Sequence, residues 1–96
     1  MKHYELLTLV PGEDAEAVRH KVWKAYDKLD AELDWLNKPV VYRTCRPDDE
    51  AGADILATFE LDNEEQLLQY VNHPVHVKLV DALKDKVASR VAFDHY

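Results

Sequence analysis

Apolar residues run along this chain in two rhythms, and the changes of rhythm mark the elements. His3 to Val10 is a short apolar run stopped by Pro11-Gly12, which predicts a strand and a turn. From Glu13 to Leu36 the rhythm becomes helical. Val18, Val22, Tyr26, Leu29, Leu33 and Leu36 form one stripe, and the acids Glu13, Asp14 and Glu16 oppose the dipole at its start. Asn37-Lys38-Pro39 is the expected stop. Val40 to Arg46 is rich in β-branched residues and predicts a second strand. The charged, turn-rich stretch from Pro47 to Gly52 predicts a loop. From Asp54 to Leu61 the period is two, with Ile55, Ala57, Phe59 and Leu61 on one side, so this strand pairs with the second as a hairpin.

The next start signal is a capping box, either Asp62 with Glu65 or Asn63 with Gln66. The helix it opens breaks near Asn72, because His73 precedes a proline and is biased out of the helical region. Pro74 suits the first position of a new helix, expected to run to about Ala88. Arg90 to Tyr96 closes the chain as a strand, with Val91 and Phe93 on one face. The order is βαββαβ with a split second helix, an α+β, ferredoxin-like arrangement whose helices cover one sheet face. The other face carries Val40, Tyr42 and Leu56. An apolar face of that extent marks an interface, so the expected assembly is a homodimer whose sheets pack face to face as an α+β barrel.

Length and charge narrow the classes. Ninety-six residues, 47% of them hydrophobic, make one folded domain over 1–96. A net charge of −7, with scattered basic residues, argues against nucleic acid as a partner. The one cysteine, Cys45, cannot form an internal disulfide and is expected as a small core residue. The run Leu6–Val10 is too short for a signal peptide, and no segment has the length of a membrane span. A cytoplasmic protein is expected.

The chemistry-bearing segment is Tyr70 to Val80, which reads YVNHPVHVKLV. At helical spacing His76 falls on the arc of Leu79, Val80, Leu83 and Val87, so its ring faces the sheet and needs a partner or a wet pocket. Tyr70 sits one turn before the break, at the edge of the face formed by Leu67, Leu68 and Val71. His3 opens a central strand. These residues, with His73, can line one cavity between helices and sheet. Each also has a plainer reading: His76 as a satisfied core histidine, and His73 and Pro74 as a helix junction. A metal held by His3, His73 and His76 lacks a fourth ligand at tight spacing, so no metal is expected. Trp23, Trp35 and His20 lie off the inner stripe of the long helix, as a partner surface or as partial packing.

Tyr70, His73, Pro74 and His76, spaced Tyr-x-x-His-Pro-x-His, together with Lys2-His3 and the closing Arg90–Tyr96, resemble the stress-responsive A/B-barrel (Dabb) domain family over essentially the whole chain. The resemblance implies a ferredoxin-like subunit in a dimeric α+β barrel and no single activity. In one branch, a plant polyketide cyclase, it implies a cofactor-free aldol closure with Tyr70 and His76 as the catalytic pair and His3 and His73 as pocket residues. Glu5 departs from the apolar residue typical of relatives.

Three readings follow. The first is a homodimer that binds a small, partly apolar organic molecule and uses His76 and Tyr70 for acid/base chemistry without a cofactor. The second is a structural or stress-associated oligomer with no ligand. The third is a small monooxygenase of the kind that shares this barrel.

Overall fold

The computed structural model describes residues 1–96. Its elements are β1 (Lys2–Leu9), α1 (Ala15–Glu32), β2 (Asn37–Arg43), β3 (Ile55–Glu60), α2 (Glu64–Asn72), α3 (Pro74–Leu83) and β4 (Val87–His95). The four strands form one antiparallel sheet in the order β2-β3-β1-β4. This is the ferredoxin-like βαββαβ fold, with β1 and β3 central and the split helix between β3 and β4.

The local signals act as their chemistry requires. Asp14 caps α1 by accepting from the Ala17 amide, and Asn63 caps α2 by accepting from Gln66. Gln66 reaches back to the Asp62 amide at 2.8 Å, so Asn63 with Gln66 is the capping pair. Pro74 opens α3 at its first position.

The ends of two helices fall earlier than the apolar rhythm predicts. α1 stops at Glu32, where Leu33 turns extended at φ −118° and ψ 105°. Leu33 and Leu36 still pack on the core, so burial alone does not report where the helical backbone ends. α3 stops at Leu83 and not near Ala88, because Val87 pairs with Leu9 and begins β4. Asn37-Lys38-Pro39 belongs to β2, where the pairing with β3 slips and Lys38 takes φ 53° in a bulge.

The core lies between the helices and one sheet face. Val18, Val22, Tyr26 and Leu29 of α1 meet Leu7 and Leu9 of β1 and Ile55, Ala57 and Phe59 of β3. Trp23 and Trp35 pack partly against this core, while His20 is exposed. Cys45 corrects the expectation of a core residue: it lies beyond the end of β2 and is exposed. The other sheet face carries Leu6, Tyr42, Val91 and Phe93, all exposed. No helix is long and apolar enough to cross a membrane.

Candidate active site

The polar part of the site begins on the sheet. Alternation along β1 turns His3, Glu5 and Leu7 toward the helices, all buried. The β1–β4 register sets His3 opposite Asp94 and Leu7 opposite Arg90, so Arg90 lies diagonal to Glu5. The side chains then link in series. Asp94 Oδ1 is 2.6 Å from His3 Nδ1. His3 Nε2 is 3.5 Å from Glu5 Oε1, close enough for charge attraction but long for a hydrogen bond, and it has no other partner. Arg90 donates to the same Glu5 oxygen through Nε at 3.1 Å and through Nη2.

This chain of charges sets the protonation states. Burial favours the neutral Glu5 carboxyl, but His3 and Arg90 outweigh it and hold the group down at about 2. Burial likewise favours a neutral His3, yet the Glu5 and Asp94 carboxylates on either side raise its pKa. Glu5 is therefore ionised at any ordinary pH, and its charge is matched inside the fold.

The second part comes from the helix break. His76 is buried near the start of α3, and its Nδ1 lies 2.9 Å from the Val71 carbonyl. A carbonyl only accepts, so Nδ1 carries the proton and Nε2 keeps its lone pair. Nε2 makes no hydrogen bond within the chain. Burial is the main cause that lowers the His76 pKa. The result is a neutral imidazole with a free basic nitrogen.

His76 lines a cavity of about 220 Å³ with Glu5, Arg90 and Lys84, walled by the apolar side chains of β1, α1 and α3 and by Val87. Apolar walls around a few polar groups are the usual make-up of a small-molecule site. Arg90 offers Nη1, which makes no bond to Glu5.

The four residues singled out from sequence divide in two. His76 lines the cavity. Tyr70 packs on it, with ring centroids 4.4 Å apart, but Tyr70 is fully buried at the centre of its helix face and not at the edge. Its hydroxyl pairs with Tyr26 at 3.2 Å, and burial pushes its pKa up. His3 sits one layer behind the cavity and reaches it through Glu5. His73 does not line the cavity; its Nδ1 accepts from the Val75 amide at 3.1 Å. No three His, Cys, Asp or Glu side chains come together as metal ligands, so His3, His73 and His76 stay apart. Pattern reading missed Arg90 and Lys84. The available signal for Arg90 was Glu5, an acid on an inward position that needed a cation from a neighbouring strand.

The stress-responsive A/B-barrel domain model matches residues 1–96, and the chain belongs to that family. It is similar to a dimeric protein of unknown function with a ferredoxin-like fold from Bacteroides fragilis NCTC 9343. The two are 25% identical, and the match covers 98% of this chain and 92% of that one with a TM-score of 0.84. A dimeric ferredoxin-like protein of unknown function from Jannaschia sp. CCS1 shares 17% identity over 99% and 96% of the two chains, with a TM-score of 0.81. The hydroxynitrile lyase of Passiflora edulis shares the fold at 8% identity over 98% and 89%, with a TM-score of 0.75. No curated protein matches the sequence.

Proposed function

We propose that this protein binds a small, partly apolar organic molecule in the helix–sheet cavity and moves a proton at His76 Nε2 without a cofactor. The observation that carries this reading is the Nδ1 bond from His76 to the Val71 carbonyl, which leaves the basic nitrogen free on a cavity wall. A base of this kind takes a proton from carbon next to a carbonyl. The C–H electron pair becomes the enolate π bond, and the proton goes to Nε2. The negative charge that grows on the oxygen is met by Arg90, whose Nη1 is not engaged by Glu5. Tyr70, expected from the family resemblance as the partner of His76, holds the imidazole by packing and leaves the oxygen to Arg90. His3 supports the site by compensating Glu5. His73 acts at the junction.

We further read the protein as a homodimer. Leu6, Tyr42, Val91 and Phe93 on the uncovered sheet face form an apolar patch suited to pairing into an α+β barrel, and the relatives from Bacteroides and Jannaschia, both dimeric, support self-association. The free, exposed Cys45 fits a reducing, cytoplasmic setting. The lyase of the same fold supports only that such a scaffold can host an enzyme, since fold does not fix function.

Titration with 4-butylphenol, followed by the ring resonances of His76, tests the binding part. A saturable shift in wild type that is lost when Leu79→Trp fills the cavity supports it. No shift at His76 in a folded protein counts against it.

A further inference from the structure

The His-Pro-x-His segment contains a histidine that never reaches the cavity, and the backbone hydrogen bonds around the break say what it does. In an uninterrupted helix the Val71 carbonyl accepts from the amide four residues on, that of Val75. Here the Val75 amide donates to His73 Nδ1 at 3.1 Å instead. The preceding carbonyl is also dealt with locally. Tyr70 O loses its expected donor, because Pro74 has no N–H, and accepts from the His73 amide at 3.1 Å. Val71 O has lost its regular donor to the break, and His76 Nδ1 takes it at 2.9 Å.

We propose that His73 is a positioning residue for His76: its extended backbone before Pro74 takes the Val75 amide off the Val71 carbonyl, and its Nδ1 caps that amide, holding the first turn of α3 where His76 bonds Val71 O in the Nδ1–H tautomer with Nε2 as the base. His73, Pro74 and His76 thus form one device. Pro74 removes a donor, His73 diverts the next one, and His76 uses the acceptor set free. His73 itself must be the Nε2–H tautomer, because its Nδ1 accepts. The value of this arrangement to a reaction rests on the cavity reading above, but the tautomer is a property of the unliganded protein.

Long-range nitrogen NMR of the His76 ring tests the device without any ligand, so its failure and that of the cavity reading are told apart. Wild type is expected to show a protonated Nδ1 and an unprotonated Nε2. In His73→Ala the Val75 amide loses its cap while Pro74 keeps the break, so the first turn of α3 loosens its hold on Val71 O and the His76 signals move toward the Nε2–H form. In His73→Asn the side-chain oxygen caps Val75 as Asn63 caps α2, and the wild-type pattern is restored. A structural role for His73 alone would lower stability in the Ala variant without moving the His76 tautomer. An Nε2–H tautomer in wild type overturns the proposal even if the Ala variant does not fold. So does an unchanged His76 in folded His73→Ala, or a lost Nδ1–H form in His73→Asn.

Discussion

Asp94 Oδ1 and His3 Nδ1 lie 2.6 Å apart across the β1–β4 ladder, tying together two positions that are 91 residues apart in the chain. This contact is the anchor of a series that runs inward through Glu5 to Arg90. It explains how a strand reading HYELLTLV tolerates an acid on its buried side. The carboxylate is fully matched, and its exposed partner, Arg90, reaches the cavity.

The Glu5–Arg90 pair predicts an asymmetric response to mutation. Arg90→Leu leaves the buried Glu5 carboxylate short of its main cation and is expected to cost about 3 kcal/mol. Glu5→Leu costs less, about 1 kcal/mol, because Arg90 is 51% exposed and can turn to water. The double variant recovers most of the loss, since apolar replacement of an ion pair is often neutral. Urea denaturation of the three variants checks this. Equal costs for the two single changes would contradict the placement of Glu5 as the buried partner.

Stability is expected to peak near pH 6.5, for reasons that differ on the two sides. The His76 pKa is lowered below 6.5 by burial, so the unfolded chain binds more protons and stability falls as pH drops through that value. Glu5 adds a second loss as pH falls from 4.5 to about 2, where its folded carboxyl at last protonates. His3 acts in the opposite sense. Its pKa is raised above 6.5, so its contribution is complete below that value and is lost as pH rises through the folded pKa. Thermal midpoints across pH 3 to 9 give the profile. His3→Asn should flatten the alkaline side and leave the fall below pH 6.5 in place.

The outer sheet face carries a separate expectation. Phe93, 61% exposed beside Val91, sits on that face of the edge strand β4. Phe93→Lys should convert a dimer to a monomer by light scattering while the His76 ring resonances stay in place. A chain that is monomeric before mutation would contradict the dimer.

How much of this was legible in the sequence follows from what each signal measures. Period-two and helical rhythms report burial, so they found every element and the break at His73-Pro74. They overran both α1 and α3 because Leu36 stays buried, and Leu33 and Val87 partly buried, after the helical backbone ends. His76 was placed correctly because its arc contains Leu83, which is buried with it. Tyr70 was set at an edge because Leu68 and Val71 counted as its apolar neighbours, yet they are 62% and 41% exposed. The role of Arg90 needed the β1–β4 register, which links residues far apart in sequence and leaves no local pattern.

The central claim is that His76 Nε2 is a working base in the cavity, and deuterium uptake tests it most directly. The probe is 4-phenylbutan-2-one in heavy water, followed at the carbon next to its carbonyl. Proton removal to Nε2 and return of a deuteron exchanges the site without net reaction. Wild type is expected to exceed buffer by about 100-fold or more, the usual scale of a positioned acid/base group. His76→Gln, checked for its fold, should fall back to the buffer rate. A wild-type rate equal to buffer, or one that survives His76→Gln, would contradict the account.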